Sequence, residues 1–481
     1  MIEPTYTHAR LDEYARPGGP LDVPSLDAAL SLAWPGPDAP DSSDFEHQVA
    51  HVAGGLIDAG VEPGDAVCWR RPNNLEAVVL YRACWRAGAV AVPIHHQAGP
   101  ADIDVILDDT APRLVVADEL PDGEPIPWGR SPAQPESAAV VLFTSGSSGR
   151  PKGVIHTHRS LAYKARLMAR VHGLRPDDAV LMPAPLAHIS GLLNGVLVPG
   201  VVPMKSVMMP RWDPDDALRI IERERITFMI GPPTFFIGLM GAATFSSAAV
   251  ASLRLVSSGG AGVTAAFVEE ASAKLGCTVK RTYGSTEAPT VTTTQAGDDL
   301  ARAAATDGRP TGEVELQIDD STGELLVRGP ELFCGYTNPE RNVEAFTDDG
   351  WFRTGDMGAI DDDGWLTIVG RLKDVIIRGG ENIAAAEVES VLESHPDVRH
   401  AVAVGAPDAR LGERVVAFVQ LVPHAAFGLA ECRAWFEARG TARFKTPERV
   451  VAVDEFPLLA AGKPDRAALR ARAAAASASE D

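Results

Sequence analysis

A run of small and polar residues with one lysine, FTSGSSGRPKG, lies between Phe143 and Gly153. Glycine and serine let backbone N–H groups approach a phosphate closely, and Lys152 adds a positive charge. The segment differs from a Walker loop, because Lys152 follows Pro151 and is not followed by serine or threonine. These residues predict polyphosphate binding, and a flexible surface loop is the alternative that they leave open.

The segments around this loop alternate between helical and extended patterns. Apolar residues recur at helical spacing from Phe45 to Gly60 and from Asn74 to Gly88, and a short apolar strand follows each of them. The segment AAVVLF leads into the loop as a further strand. This alternation predicts α/β architecture with largely parallel sheets. The proline-rich connection between Asp118 and Glu136 is predicted to be a linker.

The two ends of the chain have different patterns. Residues 1–44 carry many Pro, Gly and Asp, which predicts an extended lead-in before the organised fold. From Thr311 short strands with hairpin signals appear, and after Gly370 a smaller α+β unit of roughly a hundred residues begins. The alanine-rich segment after Arg470 is predicted to be a frayed end.

Size and charge limit the classes of protein. A chain of 481 residues is too long for one hydrophobic core, so at least two domains are expected. Acidic residues outnumber basic ones by 65 to 44, and the formal charge of −21 disfavours nucleic acid and anionic membranes as partners. Five scattered cysteines, the lack of a readable signal sequence and the lack of a long apolar stretch predict a reduced, cytoplasmic protein without a membrane span.

Five segments, in this order, resemble motifs of the adenylate-forming (AMP-binding) superfamily, and acyl-CoA synthetases within it. They are FTSGSSGRPKGV, RTYGSTEA, GWFRTGD, GRLKDVIIRGGENIAAAEVE and FPLLAAGKPDR. The resemblance implies an α/β fold with a large N-terminal domain, made of α/β subdomains and a distorted β-barrel, and a small mobile α+β C-terminal domain. The implied parts are a lead-in at 1–44, an AMP-binding domain at 45–370, a hinge at 371–373 and a lid domain at 374–481.

The resemblance also implies that the chain binds ATP with Mg²⁺. Glu287 is expected to hold the Mg²⁺, Thr286 to contact the α-phosphate and Lys152 to clamp the β- and γ-phosphates. Lys463 is expected to bridge the substrate carboxylate and the α-phosphate, which makes these four the expected catalytic residues. The implied ATP and AMP site comprises Thr144, Ser145, Gly146, Ser147, Ser148, Gly149, Lys152, Gly259, Gly260, Ala261, Tyr283, Gly284, Ser285, Thr286, Asp356, Arg371 and Lys463.

A second implied set of residues surrounds the acyl group and CoA. Lys373 is expected to be the hinge about which the small domain turns. Ala385 departs from the family, which usually has proline there, as do Leu458 and Leu459, where a basic residue and a threonine are usual. The implied acyl pocket comprises His188, Ile189, Ser190, Thr234, Phe235, Gly284 and Pro289, and the implied CoA site comprises Gly379, Gly380 and Phe444.

The activity that the resemblance implies is acyl-CoA synthesis in two steps. A small-molecule carboxylic acid attacks the α-phosphorus of ATP, and the CoA thiol then displaces AMP. Apolar pocket segments predict a largely non-polar acid, and Phe236 in place of an aspartate disfavours an amino acid. The alternatives are transfer to a free-standing carrier protein and, in a different class, a non-catalytic nucleotide-binding regulator on the same fold. A homodimer is left open.

One histidine pair invites a metal interpretation. His156 and His158 form an H-x-H pair just after the glycine-rich loop. No acidic residue or third histidine follows at ligand spacing, so the pair is predicted to have a structural role.

Overall fold

The computed structural model describes residues 1–7, 10–34, 42–144, 150–295, 297–408, 410–458 and 464–477. The chain packs into two compact units, one made of Met1–Leu316 with Leu326–Arg353 and the other of Gln317–Leu325 with Thr354–Asp481. The domain boundaries that the sequence predicts, with a hinge at 371–373, stay a prediction.

The first sheet lies in the larger unit and carries the strand pair on either side of the glycine-rich loop. Its parallel part has apolar side chains on both faces: Val67 and Trp69 face one buried cluster, and Ala66 and Cys68 face another. The last two strands pair antiparallel and set Thr144 opposite Lys152. Across the sheet the order is Leu114–Val116, Ala66–Arg70, Val90–Ile94, Ala138–Thr144 and Lys152–Thr157.

The second sheet, also in the larger unit, is parallel over five of its seven strands. Because the carboxyl ends of parallel strands meet at one edge, the segments after Gly231, Gly259 and Tyr283 lie together, as is usual for ligand sites in such sheets. Across the sheet the order is Arg309–Pro310, Thr292–Thr293, Thr278–Tyr283, Leu255–Gly259, Phe228–Gly231, Ala179–Met182 and Lys205–Met208.

Two further sheets follow in the chain. The third has the order Glu315–Ile318, Glu324–Arg328, Phe352–Ile360 and Leu366–Arg371. The fourth belongs to the smaller unit, with Glu381–Ala384, Val375–Arg378, Gly412–Leu421 and Val398–Asp408 in this order and Arg449–Ala452 pairing with Gly412–Leu421. Successive side chains of its strands point into two buried clusters, one on each face, and helices cover both faces.

The helices of the larger unit connect and cover its sheets. Asn74 and Thr157 cap two of them by accepting hydrogen bonds from Ala77 N and Ser160 N. The larger unit contains the helices Leu11–Ala15, Leu26–Ala29, Ser42–Asp58, Leu75–Ala87, Pro100–Thr110, His158–Val171, Ile189–Leu192, Val198–Val201, Pro214–Glu224, Pro233–Gly241, Ala265–Leu275, Leu300–Ala305 and Arg341–Ala345, with a π turn at Leu193–Leu197. The smaller unit contains Ala385–Glu393, Leu429–Ala438 and Arg466–Ser477, with 3₁₀ turns at Leu372–Asp374 and Arg443–Lys445.

The N-terminal segment corrects one expectation. The organised fold does not begin at residue 45, because Leu26 and Leu30 are buried in the main core of the larger unit. Asp27 is buried as well and accepts a hydrogen bond from Arg86 Nε at 3.0 Å. Composition alone missed this, since a segment rich in proline and glycine can still bury its few apolar side chains against a finished core.

The alanine-rich segment near the C-terminus corrects another. Residues Arg466–Ser477 form a helix, and not a frayed end, because Leu469 and Ala473 are buried against the fourth sheet. Alanine also has the highest helix propensity. In the part of the chain that the structure describes, no helix is long and apolar enough to cross a membrane.

Candidate active site

Three side chains from separate parts of the larger unit meet beside the glycine-rich loop. Lys152 Nζ lies 2.5 Å from Glu287 Oε1, and it lies 2.8 Å from the hydroxyl oxygen of Tyr336. The Tyr336 hydroxyl donates to the same Glu287 oxygen at 2.8 Å. Glu287 is nearly covered, with 8% of its side chain exposed, whereas Lys152 is 24% exposed. The ammonium group of the cluster is therefore partly accessible to solvent, and the carboxylate bonded to it is buried.

The contacts in this cluster set the ionisation of its members. Burial opposes a charge on Glu287, but the Lys152 ammonium and the hydrogen bonds from Lys152 and Tyr336 outweigh it and hold the pKa of the carboxyl below its usual range. Burial and the neighbouring Glu287 charge raise the pKa of Tyr336 far above its ordinary value, so the phenol stays protonated. At neutral pH the cluster holds a carboxylate, an ammonium and a hydrogen-bond donor.

Contacts to its backbone carbonyl groups hold the turn that carries Thr286 and Glu287. His156 Nε2 lies 2.7 Å from the Thr286 carbonyl oxygen, and Phe333 N donates to the Glu287 carbonyl at 2.9 Å. Gly284 has no room for a side chain, because a Cβ there would lie 2.4 Å from the backbone nitrogen of Thr290. The predicted residues Thr286 and Glu287 thus occupy a tightly held turn next to Lys152.

The histidine pair fits the structural role that the sequence predicts. Burial lowers the pKa of His156 to about 4 and that of His158 to about 3, so both rings are neutral. His158 Nδ1 accepts a hydrogen bond from Leu26 N at 3.3 Å. His156 supports the turn of Thr286 and Glu287, and His158 supports the N-terminal segment.

The edge of the second sheet brings together two segments of the predicted ATP and AMP site. Thr282 pairs with Gly259 in register, and Ser257 Oγ lies 2.6 Å from Thr282 Oγ1. Gly259 is packed so closely that a Cβ would lie 2.2 Å from the Thr282 carbonyl oxygen. Gly260 has a φ of +75°, which favours glycine. Tyr283 ends the strand, so the predicted Gly259–Ala261 and Tyr283–Thr286 segments are neighbours.

The residues predicted to line the acyl pocket divide into two groups. His188, Ile189 and Ser190 are half-buried at the start of a short helix, and the His188 ring lies 5.2 Å from the His95 ring. Thr234 is exposed, while Phe235 stacks on Trp212 with ring centroids 4.5 Å apart.

Phe236, the next residue in the chain, lies elsewhere. It is fully buried in the core behind the second sheet, against Phe267. Gly231 gives its neighbour Phe235 room, because a Cβ on Gly231 would lie 2.5 Å from that ring. Only Phe235 of the two phenylalanines remains a candidate for the pocket wall.

The smaller unit contains Asp356 and Arg371 of the predicted ATP and AMP site. Asp356 and Arg371 pair across adjacent strands, and Arg371 Nε lies 2.9 Å from Asp356 Oδ1. Asp356 is buried and Arg371 is exposed. Glu324 holds the strand beside them by accepting a hydrogen bond from Gly355 N at 2.8 Å. The pair has the oxygen acceptors and nitrogen donors that a diol requires.

The predicted CoA and hinge residues also lie in the smaller unit. Gly379 and Gly380 form a tight turn with φ of +59° and +91°, and neither is buried. Phe444 lies in a 3₁₀ turn, half-buried against an apolar cluster of this unit. Lys373 is exposed, and its carbonyl oxygen accepts a hydrogen bond from Arg470 at 2.9 Å.

Some predicted residues lie outside the described part of the chain. These are Ser145, Gly146, Ser147, Ser148 and Gly149 of the glycine-rich loop, together with Lys463. Their neighbours Thr144 and Lys152 are described and pair with each other across the strands that flank the loop.

Sequence reasoning missed Tyr336, the third member of the cluster. It lies in the segment GYTNPE, whose composition indicates an ordinary turn. Its partners are 49 and 184 residues away in the sequence, so nothing local marks it.

The cluster is compatible with Mg²⁺ carried in by a polyphosphate. Within the described ranges, no three His, Cys, Asp or Glu side chains are grouped as a protein-built metal cage requires. Mg²⁺ is commonly held by one or two carboxylates, with phosphate and water oxygens completing its shell. A single buried carboxylate such as Glu287 fits that arrangement.

Sequence comparison places the chain among known proteins. The family described as AMP-binding enzyme matches residues 43–128 and 121–337, and the family described as AMP-binding enzyme C-terminal domain matches residues 387–463. The chain belongs to the AMP-binding enzyme family. The resemblance inferred from the five motifs is confirmed.

Individual relatives and structures agree with the family. The chain is 32% identical over 480 residues to the medium-chain fatty-acid–CoA ligase of Escherichia coli, with 89% of this chain and 85% of the relative covered. It is 32% identical over 460 residues to the indoleacetate–CoA ligase of Aromatoleum aromaticum, with 86% and 89% covered. ATP-bound MatB from Rhodopseudomonas palustris matches with a TM-score of 0.85 at 29% identity, over 97% of this chain and 99% of that one. The predicted fold class is confirmed.

Proposed function

We propose that this protein is an ATP-dependent, AMP-forming acyl-CoA ligase that activates a largely apolar carboxylic acid. The acid–thiol ligase class is supported by the family and by relatives that are CoA ligases. The observation that carries the residue assignment is the buried cluster of Lys152, Glu287 and Tyr336 beside the glycine-rich loop.

The first step joins the acid to AMP. A carboxylate oxygen attacks the α-phosphorus, and pyrophosphate leaves. A carboxylic acid with a pKa of about 4 is already ionised at neutral pH, so the step needs no general base. The enzyme has to align the reactants and neutralise charge. We assign Lys152 to the β- and γ-phosphates, Thr286 to the α-phosphate and Lys463 to the carboxylate and α-phosphate.

Glu287 would hold the Mg²⁺ that accompanies ATP. When bound, that ion neutralises phosphate oxygens as negative charge shifts between them. Lys152 and Glu287 neutralise each other at 2.5 Å. A polyphosphate with its cation offers each side chain a new partner of opposite charge, so neither charge has to be left alone in a partly buried site.

The second step transfers the acyl group to CoA. The thiol loses its proton to solvent and attacks the acyl carbon, a carbon–sulfur bond forms, and the bond from the acyl carbon to the anhydride oxygen breaks, so that AMP leaves with that oxygen. We assign the hinge to Lys373 and the pantetheine contact to the Gly379–Gly380 turn, with Phe444 nearby in the same unit. Both glycines have positive φ and neither is buried, which suits close passage of a narrow ligand arm.

The acid itself is proposed only as a class. Phe235 stacked on Trp212 offers an aromatic wall. A rigid apolar wall favours medium-sized aliphatic, alicyclic or aromatic acids over polar ones. A cytoplasmic location is proposed from the five free cysteines, and a homodimer stays open.

The test is a panel of carboxylic acids with ATP, Mg²⁺ and CoA, in which AMP release and acid-dependent exchange of pyrophosphate into ATP are measured. We expect both signals with one class of apolar acids. Exchange without CoA-dependent AMP release would favour a carrier protein as acceptor. The absence of exchange with every acid would favour a non-catalytic nucleotide-binding protein.

A further inference from the structure

A second buried ion pair lies behind the catalytic turn and has no part in the proposed chemistry. Lys164, on the helix after the glycine-rich loop, lies 2.8 Å from Glu331 Oε1, and both side chains are fully buried. Lys164 Nζ also donates to the Thr290 carbonyl at 2.8 Å and to Thr311 Oγ1 at 3.0 Å. All three N–H groups of the ammonium therefore have acceptors.

The contacts of this pair converge on the end of the turn that carries Glu287. The Thr290 carbonyl accepts a second hydrogen bond at 2.8 Å, from the Thr311 hydroxyl. Thr290 has a φ of +47°, a left-handed conformation that is costly for a β-branched residue. Such a conformation persists only where its surroundings fix it. Two donors on one carbonyl supply that restraint.

The other member of the pair lies next to the second chain segment of the cluster. Glu331 is two residues before Phe333, whose N–H donates to the Glu287 carbonyl at 2.9 Å. Tyr336, which bonds Glu287 and Lys152, lies five residues after Glu331. Lys164 thus ties together the two segments that supply the carboxylate and the phenol.

We infer that Lys164 and Glu331 are positioning residues for adenylation, which set Glu287 and Tyr336 in place for the Mg²⁺-bound phosphates. The pair acts through the Thr290 carbonyl and touches no reacting atom. This inference rests on the proposed adenylating function. A purely structural pair would be equally well served by apolar side chains, because well-packed hydrophobic residues can replace a buried ion pair without loss of stability.

The test uses the double variant Lys164→Met/Glu331→Leu, which removes both charges together. We expect a fold about as stable as the wild type. The kcat for acid-dependent pyrophosphate exchange should fall by roughly 10- to 100-fold, since small misplacements of reacting groups have effects of that size. The Mg²⁺ concentration for half-maximal exchange should rise several-fold. Thioester formation from supplied acyl-AMP should keep close to its wild-type rate, because it does not use the β- and γ-phosphates or their Mg²⁺.

Two further variants keep the inference falsifiable. Leu56→Ala, at a fully buried position of the helix Ser42–Asp58, is the control for lost stability, and its Mg²⁺ dependence should match the wild type. Thr311→Val keeps the ion pair but removes one donor to the Thr290 carbonyl and one acceptor of Lys164, and it should raise the Mg²⁺ requirement about twofold to threefold. If the double variant fails to fold, Thr311→Val decides.

The outcomes separate this inference from the proposed function. Wild-type exchange together with wild-type Mg²⁺ dependence in the double variant, or in Thr311→Val when the double variant does not fold, would overturn the positioning role. A wild-type enzyme without acid-dependent exchange would instead overturn the proposed function.

Discussion

Two lysine–glutamate pairs lie in the same region of the larger unit but differ in their access to solvent. Lys152 is 24% exposed and Glu287 8% exposed, whereas Lys164 and Glu331 are both at 0%. Lys152 and Tyr336 both bond Glu287, whereas each of the three N–H groups of Lys164 has its own acceptor. The open pair can exchange partners with a ligand, and the closed pair cannot.

The lysine and glutamate of the open pair differ in ionisation and access from those of the closed pair, so the two pairs suit different roles. Burial lowers the pKa of Lys164, and the Glu331 charge opposes that change. The closed pair makes its contacts inside the protein. The carboxylate of the open pair keeps a pKa below its usual range because Lys152 and Tyr336 hold it ionised. An ionised carboxylate that a ligand cation can reach is suited to binding, and a sealed pair is suited to support.

Removal of one lysine from each pair should give the largest contrast. Lys152→Met is expected to lower adenylation by about 10²–10³-fold, because a charge that acts on the transition state is lost. Its free energy of unfolding should fall by less than that of Lys164→Met, because Glu287 is 8% exposed and keeps the hydrogen bond from Tyr336. Lys164→Met is expected to lower the free energy of unfolding by about 3–5 kcal/mol, because Glu331 is left buried and alone. Pyrophosphate exchange and urea unfolding of both variants measure this, and equal stability losses would break the distinction.

Substitution of Glu287 should have the next largest effect. Glu287→Gln keeps the shape and removes the charge, so we expect adenylation to fall about 100-fold and the Mg²⁺ requirement to rise. Because the folded-state pKa of Glu287 is lowered, its charge stabilises the fold above the ordinary pKa of 4.5, and this contribution is lost as pH falls through the folded-state value. Unfolding of the wild type and variant from pH 7 to pH 3 should show a shrinking difference. A pH-independent difference would contradict the lowered pKa.

The smallest effect is expected for Tyr336→Phe, which removes only the hydroxyl. Glu287 loses one donor but keeps Lys152, so adenylation should fall about tenfold or less. Steady-state exchange at saturating ATP measures the change in kcat. A loss as large as that of Lys152→Met would mean that Tyr336 does more than orient the pair.

The sequence marked Lys152 and Glu287 as site residues without predicting that they pair, and it could not predict the closed pair at all. Lys152 and Glu287 lie in motifs whose composition and order indicate the family. Lys164 lies in an ordinary amphipathic helix, and its partner is 167 residues further along. Tyr336 was missed for the same reason, because a contact across such separations depends on the tertiary fold and leaves no local pattern. Local patterns also led to wrong predictions for the segments of Leu26 and Ala473, because the burial of these two residues depends on distant parts of the chain.

The most decisive measurement compares the two half-reactions of the Lys463→Ala variant. If Lys463 bridges the carboxylate and the α-phosphate, as we propose, the variant loses acid-dependent pyrophosphate exchange because that charge is gone. It should still form the thioester from supplied acyl-AMP and CoA at close to the wild-type rate. Equal loss of both half-reactions, or retention of exchange, would contradict a two-step ligase in which Lys463 serves adenylation alone.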